Sequence, residues 1–370
     1  MRRADYHLFW PARSYREKLD ILVAGCGTSQ AAKYALRHPS ARIVGIDVSA
    51  TSIQETEQLK RQYELTNLEL LQLPVKRVHE LDQHFDKIIC TGVLHHLSDP
   101  DIGLQALRDI LRPKGALHLM VYAKYGRTGI YMIQEYCRRL DIDTTEDEIK
   151  DLAKALLALP QEHPLARLLG GVPDFRRKSA LADALLNPQD RAYTVPQLFD
   201  LIKGAGLTFG RWLRQAPYLA QCGDLADSPH SARMAQLPIE EQYATVELFR
   251  GTLMRHSVIC YCDDSPDQAQ PINFENYEWL SYIPHRLPRT ISVEEKLPPG
   301  AAAVLINQSH TYPDIYLPVN HDEKQLVETV DGQQSVAEII GHKAPNQHDR
   351  LRSFFQKLWW YDQITFDSSG

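Results

Sequence analysis

The sequence predicts an α/β fold, and the segment from residue 21 to residue 47 carries most of that prediction. Four apolar residues at 21–24 run into the glycine turn Gly25-Cys26-Gly27, and a helix-like segment then leads to a second apolar run that ends at Asp47. A strand, a glycine turn, a helix and a strand ending in an acid form a βαβ unit that binds nucleosides. The acid follows Gly27 by about 20 residues, where a carboxylate that holds ribose hydroxyls is expected.

The glycine turn also indicates which nucleoside cofactor fits. A dinucleotide fingerprint has a third glycine three residues after the second one, but Gln30 stands there in this chain. The turn still brings backbone close to a ligand, because glycine has no Cβ, and it offers free amides at a helix N-terminus for one carboxylate. S-adenosylmethionine matches these features, since it has a ribose for Asp47, a methionine carboxylate for the amides and no phosphate. A nicotinamide-dependent oxidoreductase is disfavoured by Gln30.

Further apolar runs, bounded by turn residues, predict the remaining strands of the sheet. These runs are residues 68–74, 85–91, 117–122, 207–213 and 251–262. A turn is expected at 111–116, before the fifth strand. Thr194, followed by Pro196 in the first turn, predicts the start of a helix between the fifth strand and the last pair. An ion pair between Glu247 and Arg250 is expected just before the last strand.

Four motifs in this order resemble those of the class I S-adenosylmethionine-dependent methyltransferases. They are VAGCGT at 23–28, GIDVS at 45–49, the stretch 85–97 with its paired histidines, and LRPKG at 111–115. The resemblance covers most of residues 15–264. It implies a Rossmann-like, seven-stranded sheet with one antiparallel strand, S-adenosylmethionine as the cofactor, and transfer of a methyl group as the reaction.

The resemblance also implies which residues contact the cofactor. The implied set is Ala24, Gly25, Cys26, Gly27, Asp47, Val48, Gln72, Leu73, Thr91 and Gly92. Gly25 and Gly27 would lie against the methionine half, Asp47 would hold the ribose, and Thr91 would line the methionine end. Gln72 stands where many members of the family have an acid beside the adenine, and its carbonyl oxygen would accept the hydrogen bond from N6.

Two short segments at the carboxyl ends of predicted strands are candidates for the acceptor side. His95 and His96 follow the fourth strand, and histidine suits proton transfer because its unperturbed pKa is near 6.5. Tyr125 and Arg127 follow the fifth strand, where the tyrosine would orient an acceptor and the arginine would bind a carboxylate or phosphate. The alternatives are histidines that only pack and an arginine that only faces solvent. No metal site is expected, because no spacing of ligand-type residues near the histidines requires one.

The chain divides, on its composition, into a predicted methyltransferase domain at 1–264 and a small α+β module at 270–370. A helical insertion at about 125–190 would form a lid over the acceptor pocket, with helices at 127–140, 146–159 and 176–186. The aromatic and basic first 18 residues would either cover the cofactor or pack as an arm. The C-terminal module resembles a winged helix, with helices predicted at 323–330, 335–340 and 350–360 and a strand at 363–366.

Charge and composition limit the partners. The 370-residue chain is 44% hydrophobic with a formal net charge of -6, which argues against a broad nucleic-acid-binding surface. Residues 314–367 contain nine acidic and five basic residues, so we expect the C-terminal module to serve protein contact, homodimerisation or regulation. No apolar run reaches 18 residues and the first residues lack a signal-peptide core, so a cytoplasmic protein without membrane contact is expected.

Three functions remain open from the sequence. The first is methyl transfer to a small molecule or an amino-acid side chain. The second is a protein methyltransferase whose C-terminal module docks the substrate protein. The third is a non-catalytic sensor of S-adenosylmethionine, because intact Gly25, Gly27 and Asp47 would bind the cofactor in either case.

Overall fold

The computed structural model describes residues 2–171, 178–187, 189–264, 272–341 and 348–370. Its strands are β1 (Asp20–Ala24), β2 (Arg42–Asp47), β3 (Leu68–Gln72), β4 (Phe85–Thr91), β5 (Leu111–Ala123), β6 (Ala192–Tyr193), β7 (Leu207–Trp212), β8 (Arg255–Cys262), β9 (Ile283–Arg286), β10 (Thr290–Val293), β11 (Ala303–Asn307), β12 (Leu317–Val319) and β13 (Ile364–Asp367). Its helices are α1 (Arg2–Phe9), α2 (Gln30–Arg37), α3 (Ala50–Gln62), α4 (Pro100–Asp109), α5 (Thr128–Arg139), α6 (Glu146–Leu156), α7 (Pro164–Gly171), α8 (Lys178–Leu186), α9 (Val195–Gly204), α10 (Ser231–Met234), α11 (Ile239–Arg250), α12 (His321–Glu328), α13 (Val336–Ile340) and α14 (His348–Trp360).

The main sheet has the strand order β3-β2-β1-β4-β5-β8-β7. Strands β1 to β5 are parallel, and β8 is antiparallel to both of its neighbours. The predicted Rossmann-like sheet with one antiparallel strand is therefore confirmed. The two-residue strand β6, which pairs in parallel with the end of β5, was not predicted.

Side chains that alternate along each central strand form one core on each face of the sheet. In β1, Leu22 packs in the core that contains residues of α4 and α9, whereas Ile21 and Val23 pack in the core under α1 and α2. All three are 0% exposed. Because both faces are covered, only the loops at the two ends of the parallel strands remain open to ligands, and the carboxyl ends carry the glycine turn.

Helix α1 packs near the amino ends of the parallel strands. Lys87, on β4, is 2% exposed and donates a hydrogen bond to Asp5 Oδ2 at 3.0 Å. Its Nζ lies 3.5 Å from the centre of the Phe9 ring. Lys87 pairs with Ile21 at the start of β1, which is the end opposite the glycine turn. The first residues therefore pack as an arm at the end of the sheet opposite the glycine turn. Of the two expectations for them, the one in which they cover the cofactor is wrong.

Strand β5 begins earlier than predicted. Leu111 already pairs with Phe85, and the next described pair is Ala116 with Lys87, so the intervening residues loop out opposite a single residue of β4. The turn expected at 111–116 is thus a bulge inside the strand.

Strand β8 begins at Arg255 rather than at Gly251, because Gly251 ends α11 in the left-handed conformation with a φ of 60°.

The insertion after β5 forms a small helical layer, α5 to α8, with its own apolar core. Ile130, Ile133 and Leu152 are among the buried residues of this core. Helix α7 was missed because Pro164 reads as a helix breaker, although proline is well tolerated in the first turn of a helix. Residues 176 and 177 of the predicted third helix lie outside the described residues, and α8 begins at Lys178.

The C-terminal part contains α12, α13 and α14 at the positions where three helices were predicted, followed by β13. Strand β13 pairs with β9, and β10 to β12 form a separate antiparallel sheet. The predicted boundary between the two parts falls largely on residues 265–270, which lie outside the described ranges. The division into domains therefore stays a prediction.

Charged pairs join this part to α11 and to the main sheet. Arg250 lies 3.0 Å from Asp314, and Arg211 lies 3.4 Å from the buried Asp362. The expected pair between Glu247 and Arg250 is wrong. Glu247 instead accepts a hydrogen bond from the Val195 amide, at the start of α9, at 2.8 Å, and its other carboxylate oxygen lies 3.2 Å from His256 Nε2. Across the described ranges, no helix combines the length and the apolar character that crossing a membrane requires.

Candidate active site

The glycine turn follows β1 directly and needs glycine at two positions. Gly25 and Gly27 have φ angles of 66° and 53°, in the left-handed region. A Cβ on Gly25 would lie 2.2 Å from Val93 Cγ2, whereas a Cβ on Gly27 would meet no atom within 4 Å. Gly25 is therefore required by close packing, while Gly27 faces open space in which a ligand can lie.

Asp47, at the end of β2, is held by backbone amides. Its Oδ2 accepts a hydrogen bond from the Gly27 amide at 2.8 Å, and its Oδ1 accepts one from the Ser49 amide at 2.9 Å. A carboxylate fixed in this way keeps two lone pairs for hydroxyl groups, as a ribose requires. Between the two glycines, Cys26 is buried, and burial raises the pKa of its thiol to about 12, so it stays protonated.

Gln72 and Val48, which are predicted to contact the cofactor, lie at the ends of β3 and β2. Gln72 Nε2 donates a hydrogen bond to the Val48 carbonyl at 3.0 Å, and Val48 itself is 64% exposed. Within the described residues, the Gln72 amide oxygen accepts no hydrogen bond, so it is available to an adenine amino group. The amide of Leu73 donates to the Asp47 carbonyl at 2.9 Å, which brings the ends of β2 and β3 together.

Thr91 and Gly92 end β4 beside the glycine turn. Thr91 Oγ1 accepts a hydrogen bond from Gln30 Nε2 at 2.7 Å, and the Gly92 amide donates to the Met120 carbonyl at 3.2 Å. Gln30, the residue that replaces the third glycine of a dinucleotide fingerprint, therefore joins α2 to β4. This contact gives Gln30 a role that the sequence pattern did not suggest.

The predicted cofactor-binding residues lie along one edge, formed by the carboxyl ends of β1 to β4. These groups fit S-adenosylmethionine, since they include a fixed carboxylate at Asp47, open space at Gly27 and a free amide oxygen at Gln72. Each individual assignment remains a prediction, including Ala24 at the end of β1, which is fully buried.

Next to this edge, Tyr122 lies between two of the predicted acceptor-side residues. Its ring centroid is 3.7 Å from that of His95, and the Arg127 guanidinium carbon is 3.5 Å from the Tyr122 centroid. His95 and Arg127 are 1% and 5% exposed. The structure thus brings His95 and Arg127 together around a ring that was not predicted as a site residue.

Arg127 is buried in a polar network. Its Nη2 lies 2.9 Å from Asp190 Oδ2, with the two side chains 7% and 1% exposed, and its Nε donates to the Tyr131 hydroxyl at 3.2 Å. Gln134 Nε2 also donates to Asp190 Oδ2, at 2.9 Å. Oδ1 of Asp190 is buried and has no hydrogen-bond partner in the described part of the chain. The solvated arginine considered from the sequence is therefore wrong.

His95 is neutral in this environment. Burial, followed by the charges of His96 and Arg127, lowers the pKa of His95 to about 2. Neither of its ring nitrogens has a hydrogen-bond partner among the described residues. The imidazole can therefore accept one hydrogen bond and donate another, but it is a weak base.

The remaining two predicted residues are placed differently. His96 is half-buried, and its Nδ1 lies 3.1 Å from Asn187 Nδ2 and 3.3 Å from the Gln189 carbonyl oxygen. Tyr125 is also half-buried, and no described ring contact or side-chain hydrogen bond joins it to the cluster. The residues that sequence reasoning missed are Tyr122, Tyr131, Gln134 and Asp190.

We expect Gly25→Ala to destabilise the protein by about 2–5 kcal/mol, combining the cost of a left-handed φ with a steric clash against Val93. Urea denaturation measures the change. The double variant Gly25→Ala/Val93→Ala should recover part of the loss, because it removes the clash and keeps the strain. A single variant as stable as the wild type would contradict the packing described here.

We expect His95 to make stability depend on pH. The unfolded histidine takes up a proton near pH 6.5, whereas the folded one does not until the pH approaches 2, so its contribution is complete above pH 6.5 and falls as the pH decreases. His95→Asn should reduce the slope of the unfolding free energy against pH by about 1.4 kcal/mol per unit between pH 6 and 4. Urea denaturation across this range tests it, and an unchanged slope would contradict the burial of His95.

Comparison with known proteins gives matches to the sheet and to the whole chain. The family model described as "Methyltransferase domain" matches residues 22–117. An uncharacterized protein of Synechococcus sp. is 33% identical over 302 residues, covering 74% of this chain and 71% of the relative. A ubiquinone biosynthesis O-methyltransferase of Neisseria meningitidis is 25% identical over 141 residues, and the match spans 37% of this chain and 59% of that enzyme.

Among solved structures, PKMT2 from Rickettsia typhi matches with a TM-score of 0.68 at 17% identity. The match covers 97% of this chain and 73% of that one. A second structure of the same protein, in complex with AdoHcy, gives a TM-score of 0.67 at 16% identity and covers 98% of this chain and 74% of that one. The similarity of fold therefore extends through the C-terminal part as well as the sheet.

Proposed function

Because this chain belongs to the class I S-adenosylmethionine-dependent methyltransferases, we propose that it methylates a side-chain amine of a protein substrate, with lysine as the first choice. The observation that carries the proposal is the extent of the likeness to PKMT2, a protein lysine methyltransferase, which spans 97% of this chain. The match to the ubiquinone biosynthesis O-methyltransferase of Neisseria meningitidis covers only 37% of this chain. At 17% identity the likeness concerns the fold, so the acceptor is our proposal.

S-adenosylmethionine supplies a methyl group on a sulfonium, which leaves in an in-line displacement. The chain then contributes position and exclusion of water more than bond-making groups. Asp47 would hold the ribose, Gly25 and Gly27 would lie against the methionine half, and the amide oxygen of Gln72 would accept a hydrogen bond from the adenine. Thr91 and Gly92 would lie closest to the cluster of His95, Tyr122 and Arg127.

The chemistry of His95 favours an amine over an alcohol as the acceptor. A hydroxyl must lose its proton as it attacks, and a base whose pKa is about 2 removes that proton poorly. An amine only has to be neutral, and burial would lower the pKa of an incoming lysine. The unpartnered Asp190 Oδ1 and a ring nitrogen of His95 could accept hydrogen bonds from its N–H groups.

The C-terminal module would position the substrate protein. Asp314 and Asp362, both in this module, contact Arg250 and Arg211 of the methyltransferase part. Asp362 also accepts a hydrogen bond from the Ala216 amide at 3.0 Å. A module held by several such contacts keeps a fixed position relative to the sheet, so a protein docked on it would present its side chain to the same edge.

Transfer of a labelled methyl group tests the proposal. The purified protein is incubated with methyl-labelled S-adenosylmethionine and either a dialysed bacterial protein extract or the small molecules removed from it. We expect label in acid-precipitated protein that is recovered as Nε-methyl-lysine after total hydrolysis. Asp47→Ala should abolish the label, and Glu55→Ala, which removes an exposed acid on α3, should leave it unchanged. Label confined to the small molecules, or to methyl esters, would contradict an amine acceptor in a protein.

A further inference from the structure

Three side chains of the kinds that bind metals meet where α1 contacts the C-terminal module. His7 lies on α1, His285 on β9 and Asp367 at the end of β13. One ligand atom from each lies within 4.8 Å of the other two. The side chains of His7 and Asp367 are 0% and 11% exposed. The methyltransferase site described above does not use any of them.

The closest contact in this cluster does not have the geometry of a hydrogen bond. His7 Nε2 lies 3.2 Å from Asp367 Oδ2, yet Nε2 has no hydrogen-bond partner among the described residues. Two atoms that bind one ion approach each other in this way, because their lone pairs converge on a third point. With bonds of about 2.0–2.1 Å to zinc, tetrahedral ligand atoms are about 3.3 Å apart.

His285 presents one nitrogen to the same place. Its ring stacks on that of His7, with centroids 5.2 Å apart and planes 12° from parallel. A Cβ on Gly332 would lie 2.6 Å from His285 Nδ1, so this nitrogen faces the backbone at Gly332. The other nitrogen, Nε2, is buried without a partner in the described ranges.

Asp367 is already oriented to act as a ligand. Its Oδ1 accepts hydrogen bonds from the Ser369 amide at 3.0 Å and from the Ser369 hydroxyl at 2.6 Å. These bonds fix the carboxylate and leave Oδ2 toward His7. Metal-binding carboxylates are commonly held by such outer hydrogen bonds.

A solvent-open hollow beside the cluster provides an entry path. It is lined by His285 and the acids Glu17 and Asp331, and also by Arg2 and Arg3, whose charges oppose a cation. Two imidazole nitrogens and one carboxylate suit zinc better than calcium or magnesium, which prefer oxygen ligands throughout. All six cysteines are buried, and among the described residues none of them groups with these three side chains as a metal ligand.

We propose that His7, His285 and Asp367 bind one zinc ion, with water in the position that faces the hollow. The ion would connect α1 to the ribbon formed by β9 and β13. It would thereby join the first residues of the chain to the C-terminal module. The site is independent of the identity of the methyl acceptor.

Titration of the full-length protein with zinc chloride, after dialysis against a chelator, tests the site by calorimetry. We expect one equivalent to bind, and cobalt(II) to give visible absorption bands in the same protein. His285→Gln and Asp367→Asn should each weaken zinc binding at least tenfold, as loss of a ligand requires. His321→Gln, which changes an exposed histidine on α12, should leave the affinity unchanged.

Failure of the wild-type protein to bind either ion would overturn the proposal. Zinc binding that neither His285→Gln nor Asp367→Asn weakens would also overturn it, because the ion would then lie elsewhere. If either substitution prevents folding, Ser369→Ala is used in its place. Weaker zinc binding by this variant supports the site, and unchanged binding overturns it. That change removes one hydrogen bond to Asp367 and is expected to cost about tenfold in affinity.

Discussion

Replacing Asp47 by alanine is expected to weaken S-adenosylmethionine binding by about 100-fold or more. The carboxylate would accept two ribose hydroxyl hydrogen bonds, each worth about 1.5–3 kcal/mol when the acceptor is charged, and a loss of about 3 kcal/mol corresponds to roughly 100-fold. The substitution also removes the acceptor of the Gly27 amide, so the glycine turn loses the contact that holds it. Equilibrium dialysis with labelled cofactor measures the effect.

Glu55→Ala is the matched control for this experiment. It removes an acid of the same charge from the exposed face of α3, eight positions along the chain. Its affinity should equal that of the wild type. An Asp47→Ala protein that folds normally and binds within threefold of the wild type would show that the ribose is held elsewhere.

Replacing Arg127 by alanine is expected to destabilise the protein by about 3–5 kcal/mol, because it leaves the buried carboxylate of Asp190 without its cation. The side chain of Asp190 is 1% exposed, so water cannot replace the lost guanidinium. Turnover should fall as well, because Tyr122 loses the cation that covers one of its faces. Cofactor affinity should change little, since Arg127 makes no described contact with the glycine turn.

Urea denaturation and cofactor dialysis, carried out on the same preparations, separate these effects. Arg138→Ala is the control, because Arg138 lies on α5, the helix that begins directly after Arg127, with 75% of its side chain exposed. The double variant Arg127→Ala/Asp190→Asn should be more stable than Arg127→Ala, since it also removes the unpaired charge. If Arg127→Ala abolished cofactor binding while the protein remained folded, the placement of this residue at the acceptor side would be wrong.

The sheet and the glycine turn could be predicted because their signals are local. Apolar runs define the strands, and the order of Gly25, Gly27 and Asp47 lies within one βαβ unit. Errors arose where a local signal has two meanings. Pro164 reads as a break but begins α7, and the turn residues at 111–116 form a bulge because β4 and β5 continue to pair on both sides of it.

The cluster of His95, Tyr122, Arg127 and Asp190 could be predicted only in part, because it depends on contacts between distant segments. His95 and Arg127 stand at strand ends, which sequence patterns identify. Asp190 becomes their neighbour only through the pairing of β6 with β5, and a two-residue strand has no periodicity to reveal it. The cluster of His7, His285 and Asp367 was even harder to predict from the sequence, since its members belong to three elements spread over the whole chain.

Calorimetric titration of the purified protein with S-adenosylmethionine, S-adenosylhomocysteine and NAD tests the central claim most directly. The site described here has open space at Gly27, a fixed carboxylate at Asp47 and a glutamine, Gln30, in place of the third glycine of a dinucleotide site. We predict one-to-one binding of both adenosyl compounds in the micromolar range and no binding of NAD. Binding of NAD, or no binding of either adenosyl compound, would contradict the assignment of the cofactor and of each residue placed around it.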